Sequence, residues 1–148
     1  MGCAVLPLPA APAGESLPLL REQAAAGDPW AQLNLGAAYD NGLQGLPADA
    51  VQAVRWYRAA AEQGLAEAQF NLAHCLATGH GTARDYVTAR TWMRRAALQG
   101  VADAQFLLGV MLDQGMGGDK DADIARDWLQ QAAGQGHAQA IAYLRGDR

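Results

Sequence analysis

The stretch DAVQAVRWYRAAAEQG, residues 49–64, decides the fold because the chain repeats it twice at a fixed spacing. The second copy is DYVTARTWMRRAALQG, residues 85–100, and the third is DADIARDWLQQAAGQG, residues 121–136. The copies close at 64, 100 and 136, so the period is 36 residues. A fixed period of roughly 20 to 50 residues is typical of solenoids, whose units bury their apolar faces by stacking. The repeat therefore predicts a stacked helical array with a binding surface rather than a catalytic pocket.

The three copies share residues that suit a capped, closely packed helix. Each begins with an aspartate, and an N-cap aspartate accepts N–H groups of the first helical turn, which stabilises a helix by about 1 kcal/mol. Each also carries a tryptophan among small alanines, an arrangement that fills a close-packed layer. We therefore expect Trp56, Trp92 and Trp128 to be core residues.

A second repeated segment lies before each copy and predicts a first helix. It reads WAQLNLGAAYDNG in residues 30–42, EAQFNLAHCLATG in residues 67–79 and DAQFLLGVMLDQG in residues 103–115. The closing glycine of each segment ends the helix, and glycine at positions 36 and 109 lets the partner helix approach closely. Each repeat is therefore a pair of helices, at about residues 28–63, 64–99 and 100–135.

The segments outside the three repeats are shorter. Residues 17–27 predict a helix that resembles half of a repeat, and we assign it as an N-terminal cap. Residues 136–148 supply one further first helix, which we assign as a C-terminal cap. Residues 1–16 form a Pro/Ala-rich tail that lacks the basic n-region of a signal sequence. The compartment stays open between the cytoplasm and an exported form whose signal has been removed.

The composition of the chain limits the classes of partner. With 148 residues, of which 51% are hydrophobic and 18% charged, the chain suits a folded domain. Its net charge of -4 disfavours nucleic acid, since binding phosphates requires an excess of Lys and Arg. No apolar run approaches the roughly 18 residues that a membrane span needs. We therefore expect a protein or peptide partner, no nucleic acid and no membrane span.

Taken together, the two repeated segments resemble the Sel1-like repeat. The resemblance rests on a first helix with the pattern AQ-[LF]-N-LG, and on an Asp-capped second helix with A-x-x-W-[YML]-x-x-AA-x-x-G. It covers about residues 17–144, and its departures are mild, such as Leu107 in place of Asn34 and Asn71. The resemblance implies an all-α fold, a right-handed α/α solenoid related to tetratricopeptide arrays, and a role as a scaffold or adaptor for protein complexes.

By analogy with tetratricopeptide arrays, the first helices line the concave face and carry the binding residues. An apolar stripe flanked by carboxylates suits an amphipathic peptide with basic neighbours, in which the apolar anchors supply most of the affinity and the charges mostly the orientation. Phe70 and Phe106 have an alternative role as core residues between repeats. Trp30 has no aromatic counterpart in the later repeats, where Glu67 and Asp103 stand. The candidate binding residues are Trp30, Leu33, Asp40, Asn41, Glu67, Phe70, His74, Asp103, Phe106, Val110 and Asp113.

The arginines of the second repeat form a separate group. Arg84, Arg90, Arg94 and Arg95 lie on its second helix and on the preceding loop. We expect them on the convex side, as a solvated face.

The chain offers few residues for catalysis. Ser16 is its only serine, and its three histidines are His74, His80 and His137. His74 and Cys75 are adjacent in a helix and project about 100° apart, so they cannot chelate one ion from one face. We therefore expect no metal, no cofactor and no enzymatic activity. Two alternatives stay open, a small hydrolase or ligand-binding module that uses His74 and nearby carboxylates, and a self-associating structural element.

Overall fold

The computed structural model describes residues 16–147, and within them it contains helices and no strand. The predicted tail, residues 1–16, lies outside this range except for Ser16, as does Arg148. The predicted all-α class is confirmed. None of the helices in residues 16–147 has the length and apolar character needed to cross a bilayer. The helices are α1 (Leu17–Ala25), α2 (Pro29–Asn41), α3 (Ala50–Glu62), α4 (Ala66–Thr78), α5 (Tyr86–Leu98), α6 (Ala102–Gln114), α7 (Ala122–Gly134) and α8 (Ala138–Arg145).

The chain divides into two compact units. The first ends at Arg84 and holds α1 to α4, and the second begins at Asp85 and holds α5 to α8. Within each unit every helix packs on the helix that follows it in the chain. Neighbours in sequence are therefore neighbours in space, as expected for helix-turn-helix repeats.

Four aspartates begin helices as predicted. Asp28 accepts two N–H groups from the first turn of α2, at 2.9 and 3.1 Å. Asp49, Asp85 and Asp121 each accept the N–H three residues later, at 3.2, 3.1 and 3.0 Å. The Thr88 hydroxyl also donates to Asp85 at 2.6 Å, and this bond, with the backbone N–H of Thr88, lowers the pKa of Asp85. The caps confirm the predicted starts of α2, α3, α5 and α7.

The first helices end at glycines, which is also as predicted. Gly42, Gly79 and Gly115 have φ of +66°, +73° and +70°. This left-handed region is open to glycine without steric cost and favours it at the end of a helix.

The core of the second helices is centred one residue after the predicted tryptophans. Trp92 is buried, at 9% exposure, but Trp56 and Trp128 are only partly buried. The prediction of three core tryptophans is therefore wrong for two of them. The residue after each tryptophan is the deeply buried one, and these residues are Tyr57 at 0%, Met93 at 1% and Leu129 at 3% exposure.

For Tyr57 and Leu129, a glycine on the facing first helix explains this depth. A Cβ on Gly36 would lie 2.8 Å from the ring of Tyr57, and a Cβ on Gly109 would lie 2.7 Å from Cγ of Leu129. The close approach predicted at these glycines is confirmed. The residue after the tryptophan fills the space beside the glycine, whereas Trp56 packs against the cluster that contains Leu20 and Leu35.

The loops after α4 and α6 rest on the start of an earlier helix. A Cβ on Gly81 would lie 2.2 Å from the carbonyl oxygen of Ala50, and a Cβ on Gly117 would lie 2.2 Å from that of Tyr86. In the loop after α2, a Cβ on Gly45 would meet nothing within 4 Å. The second and third repeats therefore hold a loop glycine against a helix start, whereas the first loop leaves Gly45 in open space and packs on α1 through Leu46.

Buried glutamines, which were not predicted, tie each first helix to the helix before it. Each donates from Nε2 to the carbonyl oxygen eight residues earlier, near a helix end, and this oxygen also accepts the N–H of the glycine that closes the turn. The pairs are Gln32 to Ala24 at 3.1 Å, Gln69 to Ala61 at 3.3 Å and Gln105 to Ala97 at 3.2 Å.

A second glutamine extends two of these contacts. Gln63 donates from Nε2 to the Gly27 carbonyl at 2.8 Å and to Oε1 of Gln32 at 2.9 Å. Gln135 makes the equivalent pair of bonds, to the Gly100 carbonyl at 2.9 Å and to Gln105 at 2.8 Å. A glutamine stands before each closing glycine, at 63, 99 and 135, so the signal was present in the repeated sequence.

We expect Gln63→Ala to lower the free energy of unfolding by about 1 kcal/mol, because it removes two hydrogen bonds that solvent partly replaces. Urea denaturation followed by circular dichroism measures this change. Gln52→Ala is the matched control, since Gln52 lies on the same helix and its side chain makes no hydrogen bond to the described part of the chain. Equal losses in the two variants would show that the Gln63 contacts contribute nothing.

Candidate functional site

Two of the predicted anchors are core residues. Leu33 and Phe70 are both 0% exposed. A partner could touch them only by opening the core, so they do not line an accessible groove. This corrects their assignment to the binding surface, and for Phe70 it favours the alternative of a core residue.

Asp40 is a covered carboxylate with partners inside the first unit. Its side chain has 0% exposure. The Tyr57 hydroxyl donates to its Oδ2 at 3.2 Å, and Nε2 of His80 lies 2.6 Å from its Oδ1. Burial and the adjacent carboxylate raise the pKa of Tyr57, so the hydroxyl stays protonated and remains a donor. These hydrogen bonds offset the cost of burying the carboxylate, and Asp40 is not available to a partner, which corrects its assignment.

His74 lies half-buried near this cluster. Burial is the main cause that lowers the pKa of His74. The nearby His80 lowers this pKa further, whereas Asp40 acts to raise it. The imidazole is therefore neutral at neutral pH, and its Nδ1 is covered without a hydrogen-bond partner in residues 16–147. Its ring lies 6.3 Å from that of Phe70, between centroids. In the part of the chain that the structure describes, no three His, Cys, Asp or Glu side chains are grouped to hold a metal ion.

Trp30 is the exposed member of the predicted set in the first unit. It lies in the first turn of α2 and is 42% exposed. Within residues 16–147 it is the only aromatic residue among the large apolar side chains that are exposed. Glu67, at the matching position of α4, is half-buried, and Asn41, at the end of α2, is exposed while its amide donates to the Ala37 carbonyl at 3.0 Å.

In the second unit, the predicted binding residues hold α8. His137, the N-cap of α8, places Nε2 2.8 Å from Oδ1 of Asp103 and stacks on Phe106, with ring centroids 4.8 Å apart. Tyr143 donates its hydroxyl to Asp113 and meets Phe106 edge-on at 6.3 Å. These acidic and aromatic side chains thus have an intramolecular partner, and the alternative of Phe106 as a packing residue is favoured.

When the buried residues and those with intramolecular partners are excluded, fewer of the predicted binding residues remain accessible to a partner. In the first unit these are Trp30, Asn41, Glu67 and the exposed part of His74. In the second unit Val110 is half-buried and stays a candidate. The surface with the largest exposed apolar side chain is the one around Trp30.

Comparisons with known proteins agree with this architecture. The sequence matches the family model described as Sel1 repeat over residues 31–65, 66–101 and 102–137. A Sel1 repeat protein from Oxalobacter formigenes has a similar crystal structure, with a TM-score of 0.78 and 38% identity over 86% of this chain and 95% of that chain. A protective antigen present in uropathogenic Escherichia coli strains, displaying an SLR fold, has a TM-score of 0.84 and 32% identity over 86% of this chain and 27% of that one. The comparison with curated proteins gave no match.

Proposed function

The chain belongs to the Sel1 repeat family, and we propose that it is a protein-interaction module that binds a partner segment beside the exposed Trp30. The predicted family resemblance and the α/α solenoid class are both confirmed. Sel1 repeat proteins generally act as scaffolds for protein interactions and are typically not catalysts. The scaffold role of the family supports the proposal that this chain is an interaction module. The exposure of Trp30 supports the proposed position of the binding site.

Exposure of Trp30 is the observation that carries the proposal. Tryptophan is among the residues most enriched in the energetic centres of protein interfaces. Here the Asp28 cap and Pro29 hold the first turn of α2, so the indole is presented on a helix that need not become ordered on binding. Pre-organisation of this kind lowers the entropic cost of association.

Acidic groups around Trp30 favour a basic partner. Asp28 stands two residues before it, and Glu67 occupies the equivalent position on the next first helix. Asp28 also accepts hydrogen bonds as the cap of α2, and the whole chain carries a net charge of -4. Because such charges mainly steer and orient a partner, we propose a segment with an apolar anchor for Trp30 and with Lys or Arg beside it.

Selection of a random peptide library on the immobilised chain tests this proposal. We expect enrichment of peptides that combine apolar with Lys or Arg residues, and at least about a tenfold loss of affinity in Trp30→Ala, measured by fluorescence anisotropy. The change removes an exposed side chain, so the thermal unfolding should stay nearly unchanged.

Val51→Ala is the matched control, since Val51 is an apolar side chain on α3 of the same unit and is 66% exposed. It should leave peptide affinity unchanged. Peptides that bind wild type and Trp30→Ala equally well would exclude this surface as the binding site.

A further inference from the structure

A second accessible feature lies entirely within the second unit. It is a cleft of about 500 Å³ lined by α5, α6, α7 and the loop before α7. Its volume falls within the roughly 300 to 1,000 Å³ of typical ligand sites. Its accessible apolar lining comes from Val87 on α5 and from Ile124 and Trp128 on α7, while Leu108 and Leu112 on α6 form a buried floor.

Three cations line the same cleft, and they are Arg90, Arg94 and Lys120. Arg90 is fixed in place because its Nη2 donates to the Asp119 carbonyl at 3.1 Å. Its Nη1 is covered and has no acceptor in residues 16–147, and a Cβ on Gly118 would lie 2.5 Å from it. The guanidinium is therefore held under the loop with its charge unpaired by any carboxylate of the described residues.

The other two cations are also unpaired. Arg94 and Lys120 are exposed and form no ion pair within the described range. Two carboxylates share the cleft, Asp119 and Asp121, and Asp121 also accepts the Ile124 N–H at 3.0 Å as the cap of α7. Three cations against two carboxylates leave one positive charge in excess beside an apolar surface, in a chain whose net charge is -4.

We propose that this cleft binds an acidic protein segment, with an apolar side chain on the Trp128 surface and a carboxylate of the partner at Arg94 and Lys120. Arginine pairs with carboxylates through charge-assisted hydrogen bonds, and the apolar lining takes the anchor. Arg90 and Arg94 then belong to a binding site rather than only to a solvated face. The partner chemistry is opposite in charge to that at Trp30, so this is a second site on the same module.

The lining favours a protein segment over a polyphosphate or nucleic acid. Asp119 and Asp121 repel any anion, and they repel several closely spaced phosphates more strongly than a single carboxylate. The apolar residues also require an apolar anchor, which an inorganic anion lacks.

The test uses the full chain and a library of displayed peptides rich in Asp, Glu and large apolar residues. An enriched peptide is titrated by fluorescence anisotropy against wild type, the double variant Arg94→Glu with Lys120→Glu, and Trp128→Ala. We expect a loss of at least about tenfold for each variant. The double variant should melt like wild type, because both side chains are exposed.

Arg58→Glu is the matched control, because Arg58 occupies on α3 the position that Arg94 occupies on α5. It should bind the peptide as wild type does, and so should Trp30→Ala, which separates this site from the proposed function. Replacing the peptide's acids by amides, or its apolar residues by alanine, should each weaken binding. The inference is overturned if no acidic apolar peptide is enriched, if charge reversal leaves binding unchanged, if Trp30→Ala abolishes it, or if inorganic phosphate competes as well as the peptide.

Discussion

Replacing Tyr57 with alanine is expected to lower the free energy of unfolding by about 3 to 5 kcal/mol, the usual cost of deleting a fully buried aromatic side chain. Tyr57 is 0% exposed, and its ring fills the space left by Gly36 on the facing helix. The change would also remove the hydroxyl that donates to the covered carboxylate of Asp40, and a buried acceptor that loses its donor costs a further 1 to 3 kcal/mol or so. Denaturation in guanidinium, followed by circular dichroism, measures the loss.

The neighbouring residue provides the control for this prediction. Trp56 is larger but only partly buried, so we expect Trp56→Ala to cost about half as much or less. Tyr57→Phe separates the two contributions, because it keeps the ring and removes only the donor to Asp40. A larger loss for Trp56→Ala than for Tyr57→Ala would contradict the packing described here.

Replacing Gly81 with alanine is the second change with a large expected effect. Its φ is +71°, where a non-glycine residue costs roughly 1 to 2 kcal/mol. A Cβ there would also lie 2.2 Å from the carbonyl oxygen of Ala50. Neither a Cβ nor a backbone oxygen moves when a side chain rotates, so no change of rotamer relieves the overlap. We expect a total loss of about 3 kcal/mol or more, measured by the same denaturation experiment.

Gly45→Ala isolates the conformational part of that loss. Gly45 has φ of +81° but open space around it, so its replacement should cost only about 1 to 2 kcal/mol. Gly117→Ala should behave like Gly81→Ala, since its Cβ would meet the Tyr86 carbonyl at the same distance of 2.2 Å. If all three variants lost the same stability, the contact of the loops with the helix starts would have no energetic role.

The helix pairs and their ends could be predicted from the sequence because their signals are local. An aspartate that caps a helix and a glycine that ends one act within a single turn, so Asp49 and Gly42 carry the information by themselves. The burial of neighbouring residues is different. Trp56 and Tyr57 are about 100° apart on one helix, and only the position of Gly36 on another helix determines which of them is buried.

The candidate site was harder to predict for a related reason. Because α2 packs against both α1 and α3, a first helix buries more than one side, and analogy with a concave face assigned core positions such as Leu33 and Phe70 to the groove. The contacts of His137 with Asp103 and Phe106 depend on where α8 lies, which residue spacing alone does not define. Trp30 was singled out because it differs between repeats, and its exposure agrees with that choice.

The loop after α2 differs from its two counterparts in a way that bears on length variation. Seven steps separate Gly42 from Asp49, whereas six separate Gly79 from Asp85, and Gln44 and Gly45 at its tip are exposed. Leu46 anchors the base of this loop in the core with Leu20 and Ala24 of α1, but a Cβ on Gly45 would meet nothing within 4 Å, so extra residues at the tip displace no neighbour. Additions at Gly81 or Gly117 would instead lift a loop from a helix start. An engineered insertion or tag should therefore be tolerated better beside Gly45 than at Gly81 or Gly117.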